Sequence, residues 1–317
     1  MKGKPENYHH YLRSTLSDNT RRAYEADLRH FRAWGGRVPS TPETLARYLA
    51  DCAASMKVTT LFRHAVAIGQ AHAVRGMSNP ASAPLVKAML RGIRRQHGAA
   101  PHQAKPLTTA NLKKLVLPIA TYADSRNIRD RALLLVGFAG AFRRSELVNL
   151  TLSDIACNRH GLVLHLRASK TDSARFGRHI AVPYGHGSLC PVRALKSWLE
   201  VVKIAENICI SASKSSRYND GGGALFRRID RHGVIGRGAL SGAAVNLILK
   251  TRMAEVGLNA EGYSAHSLRA GLVTSAAMAG VPTWQIQRQT GHTTTQMVTR
   301  YIRSVGLFDG NAARAVL

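Results

Sequence analysis

Six side chains between residues 143 and 301 have the types and the order that phosphoryl transfer requires. They are Arg143, Lys170, His266, Arg269, His292 and Tyr301. Such a reaction needs a nucleophile, neutralised charge on the nonbridging oxygens and a proton for the leaving oxygen. A tyrosine can attack phosphorus, an arginine can bind phosphate with its planar fork, and a lysine or a histidine can transfer protons. The set therefore predicts a site that binds and cleaves a phosphodiester.

The spacing of the last four residues supports a common site. His266 and Arg269 are three residues apart, so a helix would place both on one face, within reach of one phosphate. An isolated H-x-x-R is weak evidence, because a histidine at the start of a helix usually caps or packs. Its weight comes from Gly291-His292 and Tyr301, which follow in order. A tyrosine on a helix is also usually a core residue, and only this context favours a nucleophile.

This ordered set resembles the tyrosine recombinase (phage integrase) family of site-specific DNA integrases and resolvases. The matching motifs run from about residue 140 to residue 303, and a weaker likeness covers the N-terminal part. They read Ala141-Phe-Arg143-Arg-Ser-Glu146-Leu147, Ala168-Ser-Lys170-Thr-Asp172, His266-Ser-Leu-Arg269-Ala-Gly271, Gly291-His292 and Val298-Thr-Arg-Tyr301-Ile-Arg303.

The resemblance implies a role for each side chain. Tyr301 would be the nucleophile and His266 its general base, because a phenol ionises only near about pH 10. Arg143 and Arg269 would clamp the phosphate, and His292 would donate to a nonbridging oxygen. Lys170, in a turn between two strands, would be a mobile general acid that protonates the departing 5′ oxygen.

Two positions of the first motif leave alternatives open. Arg143 is preferred to Arg144 as the clamp, because it stands three residues before Glu146-Leu147, as the family pattern has it. Ala141 stands where family members often have glycine. Glu146 would lie behind the reacting groups and orient the arginine or the lysine, although an ordinary surface carboxylate is also plausible.

The activity that the resemblance implies is cutting and rejoining of duplex DNA through a 3′-phosphotyrosine bond, for integration, excision or resolution of mobile DNA. It needs no cofactor and no metal. The partners would be a double-stranded DNA site and further copies of the chain, a dimer per site and a homotetramer on two sites, with accessory proteins unknown. Two alternatives are type IB topoisomerase-like strand passage and a noncatalytic, site-specific DNA-binding regulator.

Composition agrees with a polyanionic partner. The 317 residues contain 45 Lys+Arg against 18 Asp+Glu, which leaves a net charge of +27 and a pI near 11.0. The basic residues spread along the whole chain, which favours a long nucleic-acid track over a membrane surface. No apolar run approaches a membrane span. We expect a cytoplasmic, nucleoid-associated protein of bacterial, phage or plasmid origin.

The metal-binding alternatives are poor. The cysteines lie far apart without a C-x-x-C spacing, so neither a disulfide framework nor a thiolate zinc site is predicted; they are Cys52, Cys157, Cys190 and Cys209. No carboxylate or cysteine lies near His266 or His292 in sequence, and a site rich in arginine repels cations.

The length and the pattern predict two domains, mainly α with a small β-sheet. Residues 1–98 would form an N-terminal helical, DNA-binding (core-binding, SAM-like) domain, residues 99–106 a linker with two prolines, and residues 107–317 an α+β catalytic domain with a C-terminal tail. The SAM-like and catalytic assignments come from the resemblance. The apolar run 132–138 predicts a buried helix.

Two segments are specific enough to predict individual faces. Residues 82–97 form a helix with one apolar stripe, Val86, Met89, Leu90 and Ile93, and one basic stripe, Lys87, Arg91, Arg94 and Arg95. The basic stripe would bind DNA phosphates, although a solvated charged face fits equally well. The alternating segments 162–167 and 179–182 predict a β-hairpin, and Leu225-Phe226 a further strand.

Overall fold

The computed structural model describes residues 15–98, 103–121, 124–167, 177–206 and 223–302. Its chain divides into two compact units, Met1–His102 and Gln103–Leu317. Both are mostly helical, and the second adds small antiparallel sheets. The predicted class, mainly α with a small β-sheet, is therefore confirmed. None of the helices in the described ranges combines the length and the apolarity needed to cross a bilayer.

The predicted linker straddles this division. Residues 99–102 lie outside the described ranges, whereas residues 103–106 belong to the second unit. The backbone N–H of Lys105 donates to the carbonyl of Gly262 at 2.9 Å. The last residues of the segment are therefore tied to the second unit, and a linker at 99–106 stays a prediction.

The first unit contains the helices α1 (Asp18–Ala33), α2 (Pro42–Asp51), α3 (Val58–Ala73) and α4 (Pro84–His97). The hydroxyl of Ser17 caps α1 by accepting from the backbone N–H of Thr20 at 3.3 Å, and Thr41 caps α2 in the same way. Apolar side chains from all four helices form one core.

Helix α4 has the two faces that its sequence predicts. Val86, Leu90 and Ile93 are buried in the core of the first unit, and Met89 packs against it. The basic residues of the other stripe are all exposed: Lys87, Arg91, Arg94 and Arg95. The predicted core face is confirmed, and the first unit does not bury the basic side chains.

The described helices of the second unit enclose two apolar clusters, one large and one small, and the small one contains Val273, Ile286 and Val298. These helices are α5 (Thr109–Thr121), α6 (Ser125–Ala139), α7 (Arg144–Val148), α8 (Pro191–Glu206), α9 (Gly242–Glu255), α10 (His266–Met278), α11 (Thr283–Thr290) and α12 (Thr295–Ile302). Leu133, Leu134 and Val136 of α6 have no exposed surface. The apolar run at 132–138 is thus a buried helix, as predicted.

The strands form two antiparallel sheets. β1 (Ile155–Asn158), β2 (Gly161–Leu166) and β3 (Arg178–Pro183) follow one another in the first sheet, and β4 (Arg227–Ile229) pairs with β5 (Ile235–Ala239). The pairing of β2 with β3 confirms the predicted hairpin. The strand predicted at Leu225-Phe226 is wrong: both side chains are buried in the core, and β4 begins at the next residue.

Helix α10 is held very closely against the start of the second unit. The backbone N–H of Leu107 donates to the carbonyl of Ser267 at 2.9 Å. One turn later, a Cβ atom added at Gly271 would lie only 1.9 Å from the carbonyl oxygen of Leu107. Only glycine allows this approach. The contact fixes the position of α10, on which two of the predicted site residues lie.

Candidate active site

Five of the six predicted reacting residues lie on elements that meet in the second unit. Arg143 immediately precedes α7, His266 and Arg269 lie in the first turn of α10, His292 follows the end of α11, and Tyr301 lies on α12. Helix α10 contacts both α11 and α12. The sixth residue, Lys170, is in the connection between β2 and β3 and lies outside the described residues, so its role stays a prediction.

The hydroxyl of Tyr301 and Nε2 of His266 are 2.8 Å apart, which is a hydrogen-bond distance. Burial lowers the pKa of His266, and the charges of Arg269 and Arg143 lower it further. The ring is therefore neutral near pH 7 and can accept a proton at Nε2. This geometry pairs a nucleophile with a base, which is the arrangement that an activated hydroxyl needs.

Arg269 is buried beneath this pair, with 1% of its surface exposed. Its Nη1 donates to the carbonyl of Ala141 at 2.8 Å, and among the described residues its buried Nη2 has no hydrogen-bond partner. Burial first, and then the charge of Arg143, lower its pKa to about 10, so the guanidinium remains charged at neutral pH. A buried, charged donor of this kind is suited to bind an anion.

The geometry distinguishes the two adjacent arginines. Nη1 of Arg143 donates to Oε1 of Glu146 at 2.6 Å, and its backbone N–H donates to Oε2 at 2.9 Å. Glu146 is buried, so these two contacts restrain Arg143, and its role as a supporting carboxylate stays a prediction. Arg144 is exposed and lies against Gly242. A Cβ atom added at Gly242 would be 2.8 Å from Nε of Arg144. Arg143 is thus the arginine beside the histidines.

His292 is placed by the end of α11. Gly291 ends the helix in the left-handed conformation, with φ of 67°, and directs the chain so that His292 is 8% exposed. Its ring centroid lies 5.8 Å from that of Tyr301. Burial is the main cause that lowers its pKa to about 4, followed by the charge of Arg269. The ring is therefore neutral in the free protein.

Sequence reasoning missed Arg178, the first residue of β3. Its guanidinium donates to the carbonyls of Gln289 at 3.0 Å and Thr290 at 3.1 Å, at the end of α11. Burial lowers its pKa, and its charge in turn lowers the pKa values of Arg269 and His292. The sequence indicates this contact only weakly. When an arginine begins an apolar strand that packs against a core, its guanidinium needs hydrogen-bond acceptors there.

The described residues include no group of three or more histidine, cysteine or acidic side chains that could hold a metal ion. What the site does contain is three arginines around a histidine–tyrosine pair. These are Arg143, Arg178 and Arg269. The arrangement can stabilise a phosphate through charge and donors while a hydroxyl is deprotonated beside it.

Comparison with known proteins agrees with this chemistry. Residues 105–305 match the model of the phage integrase family. The chain is 34% identical over 310 residues to an integrase/recombinase XerD homolog of Selenomonas ruminantium. That alignment covers 95% of this chain and 86% of the relative. It is 23% identical over 322 residues to the recombinase Cre of Escherichia phage P1. That alignment covers 95% of this chain and 89% of Cre.

The fold agrees as well. A crystal structure of a lambda integrase (75–356) dimer bound to a COC′ core site superposes with a TM-score of 0.60 at 18% sequence identity, over 95% of this chain and 94% of that one. Sequence match, fold and site geometry lead to one conclusion. The chain belongs to the phage integrase family and is a tyrosine-type, site-specific DNA recombinase.

Proposed function

We propose that Tyr301 attacks the scissile phosphate of duplex DNA and forms a 3′-phosphotyrosine bond. The observation that carries this assignment is the 2.8 Å contact between the Tyr301 hydroxyl and Nε2 of a neutral His266. His266 takes the phenolic proton as the new P–O bond forms. The bond to the 5′ oxygen breaks, and the free 5′ hydroxyl then attacks the phosphotyrosine of a partner strand, which regenerates the tyrosine.

The arginines have the charge and the position to hold the reacting phosphate. Within the part of the chain that the structure describes, the buried Nη2 of Arg269 has no hydrogen-bond partner, and Glu146 orients Arg143. Both arginines lie close enough to His266 for their charges to lower its pKa. In the transition state the nonbridging oxygens gain charge, and fixed guanidinium donors stabilise it without reorganisation. His292 donates to the same oxygens, and Lys170 protonates the departing 5′ oxygen.

The basic face of α4 is proposed to bind the DNA backbone. Four exposed cations lie along it with no burial in their own unit, and the opposite face of the helix is fixed in the core. They are Lys87, Arg91, Arg94 and Arg95. Contacts of this type supply affinity without reading sequence, so they position the chain on its site.

We also propose that two copies bind one site and four copies join two sites, because exchange between duplexes needs a nucleophile at each cut strand. The second unit has an apolar groove of about 710 Å³ whose lining includes Leu272, Ile286 and Trp284, and Trp284 is 60% exposed. The apolar residues Ala312, Ala315, Val316 and Leu317 follow the nucleophile helix in sequence, outside the described residues. We propose that this tail docks in the groove of a neighbouring copy.

The relatives come from a bacterium and from a bacterial phage. The proposed place of action is therefore the DNA of the bacterial nucleoid, in the cytoplasm.

The decisive experiment is covalent capture. The protein is incubated with fragmented bacterial DNA, denatured, and the DNA that stays attached is sequenced. The parent protein should retain DNA at one recurring sequence, whereas Tyr301→Phe should bind DNA with similar affinity and retain none. The reason is that the hydroxyl supplies chemistry while the positive surface supplies most of the binding.

Tyr263→Phe serves as the matched control, because it removes a hydroxyl from another partly buried tyrosine of the same unit. It should form the adduct normally. An adduct that survives Tyr301→Phe would show that another residue is the nucleophile, and loss of the adduct in both variants would show that the defect is not specific to Tyr301.

A further inference from the structure

The hydroxyl of Thr290 has two short contacts at the end of α11. Its Oγ1 lies 2.7 Å from the carbonyl oxygen of Ile286 and 2.8 Å from Nδ1 of His292. The carbonyl of Gln287 is farther away, at 3.4 Å. Thr290 is fully buried, so no solvent competes for these contacts.

Counting protons assigns the direction of both hydrogen bonds. A threonine hydroxyl has one proton, and a carbonyl oxygen has none. Two oxygens at 2.7 Å need a proton between them, so the hydroxyl donates to Ile286. The contact of 2.8 Å to Nδ1 then needs the proton of the imidazole, because the hydroxyl has no second one. Nδ1 of His292 is therefore the protonated nitrogen.

The backbone holds this geometry in place. Arg178 binds the carbonyls of Gln289 and Thr290, and an ideal Cβ on Gly291 would lie 2.8 Å from the guanidinium carbon of Arg178. The carbonyls of Gln289 and Thr290 are thus both bound by Arg178, which leaves no room for a side chain at Gly291. Thr290 and His292 stay two residues apart on a fixed turn.

A neutral ring protonated at Nδ1 has a lone pair at Nε2. A phosphate oxygen also carries lone pairs, so a neutral His292 in this form would repel the oxygen to which it must donate. The charged and titratable groups that face the ring come from every neighbouring element: Arg143 before α7, His266 and Arg269 of α10, Arg178 of β3 and Tyr301 of α12.

We propose that Thr290 is a positioning residue that restricts neutral His292 to the Nδ1–H form, so that His292 donates to a nonbridging oxygen only after it has bound one more proton. This inference rests on the proposed role of His292 in phosphate binding. The proton comes from solvent and is added at Nε2, and the imidazolium then donates Nε2–H to the phosphate. The negative charge of the phosphate offsets the surrounding arginines, which otherwise oppose this protonation.

The consequence is a coupling between phosphate binding and proton uptake at one histidine. In the free protein, burial and the arginines keep the ring neutral. An anion among the arginines raises the proton affinity of His292. Without the Thr290 hydroxyl, the neutral ring is free to carry its proton at Nε2 and can donate to the anion directly, with no proton uptake.

Nitrogen-15 NMR of histidine-labelled protein measures the tautomer directly, since protonated and unprotonated ring nitrogens resonate far apart. The experiment compares the parent with Thr290→Val, which has the same shape without the hydroxyl, and Thr290→Ser, which keeps the hydroxyl. His292→Gln identifies the resonance. We expect Nδ1–H alone in the parent and in Thr290→Ser near pH 7, and a substantial Nε2–H fraction in Thr290→Val.

Sulfate is the anion probe, because it stays doubly charged across the titration and takes up no protons itself. Saturating sulfate should raise the midpoint of His292 titration by about one pH unit or more in the parent and in Thr290→Ser, a tenfold gain in proton affinity. The rise should be smaller in Thr290→Val. Unfolding midpoints of the two variants show whether each is folded, and Thr290→Ala, which also lacks the hydroxyl, replaces Thr290→Val if the latter is not.

An Nε2–H ring in the neutral parent, or in a folded Thr290→Ser, would overturn the assignment. An Nδ1–H ring that persists in a folded Thr290→Val would show that Thr290 does not select the tautomer. These results are separate from the fate of the proposed function, because failure to capture DNA on Tyr301 would leave the measured tautomer unchanged.

Discussion

At the scale of single residues, the site concentrates positive charge that no carboxylate fully balances. Glu146 pairs with Arg143. Arg269 is buried, its pKa falls to about 10, and one of its donors has no partner among the residues that the structure describes. Burying like charges together is unfavourable, so the empty site stores a cost that a bound phosphate removes. The same charges keep both histidines neutral, which suits His266 as a base.

The role of Lys170 can be tested with a modified DNA. Lys170→Ala should cleave normal DNA poorly, because the 5′ oxygen leaves unprotonated. Sulfur at that bridging position needs little protonation, so cleavage of the sulfur substrate should be largely restored. The site found by covalent capture provides the substrate, and single-turnover cleavage rates provide the measurement.

Arg269→Gln is the matched control for this experiment. It removes charge stabilisation from the nonbridging oxygens, so its defect should be equally deep on the oxygen and the sulfur substrates. If Lys170→Ala behaves like Arg269→Gln, with no restoration by sulfur, then Lys170 is not the general acid.

At the scale of elements, the site depends on how closely α10 approaches the start of the second unit. His266 and Arg269 lie on its first turn, and their positions follow the packing of Gly271 against Leu107. The hydrogen bond from Leu107 to Ser267 lies between the two reacting residues in sequence. Displacing α10 by a fraction of an ångström would therefore move both of them relative to Tyr301.

Gly271→Ala should lower the free energy of unfolding by about 2 kcal/mol or more, because the new methyl group would overlap backbone atoms that cannot rotate away. It should also reduce adduct formation. Gly92→Ala in α4 is the matched control, since nothing lies within 4 Å of its ideal Cβ. That change should stabilise the chain by roughly 0.5–1 kcal/mol through helix propensity.

Chemical denaturation, followed by circular dichroism, measures both changes. Equal stability of Gly271→Ala and the parent would show that α10 can shift without cost, and the argument for its fixed position would fail.

At the scale of the whole molecule, a net charge of +27 acts on DNA, and the function that we propose requires several copies to cooperate on it. Charge supplies attraction to DNA but no assembly, since like-charged copies repel one another. Apolar contacts between copies have to provide the cooperation. The exposed Trp284 beside the apolar groove is a described surface suited to that purpose.

Deleting residues 307–317 should spare the binding of one copy to half a site and impair the loading of further copies. The apolar tail is too short to be stable alone, so it needs a surface to bury against. Native gels on a full site should show singly occupied DNA persisting. Trp284→Ala should reproduce this loss of cooperativity, whereas Leu247→Ala, which truncates another exposed side chain on α9, should not. Unchanged cooperative loading after the deletion would exclude the tail as the contact.

Three histidines with lowered pKa values make the folded chain sensitive to acid. Burial lowers the pKa values of His64, His266 and His292 below their usual range. Below about pH 6.5 the unfolded chain therefore binds more protons than the folded chain, and stability is lost as the pH falls. From pH 7.5 to pH 5, His292 alone should account for about 1–2 kcal/mol.

Denaturant titrations at the two pH values measure this loss. His292→Gln should reduce it, whereas His160→Gln, at an exposed position, should not. A folded protein that is equally stable at both pH values would contradict the assignment of neutral histidines.

The sequence by itself determined the class of the chain and several faces of its elements, and it supplied the candidate reacting residues. The apolar and basic stripes of α4 and the buried helix at 132–138 could be read directly, because helical periodicity and apolar content are properties of neighbouring residues. The set from Arg143 to Tyr301 could be identified because each motif combines residue types with a local spacing. The strand assigned to Leu225-Phe226 failed because a short apolar pair indicates burial and not backbone conformation.

Only the tertiary structure decided which arginine faces the histidines and which residues support them. Arg143 and Arg144 differ by one position in sequence, and their partners, Glu146 and Gly242, distinguish them only after folding. Arg178 meets the end of α11 across more than a hundred residues, and no local pattern records that contact. The tautomer that we propose for His292 depends on two distances from Oγ1 of Thr290, one to the carbonyl oxygen of Ile286 and one to Nδ1 of His292. Hydrogen-bond direction follows from where atoms meet, and the order of residues along the chain does not contain that information.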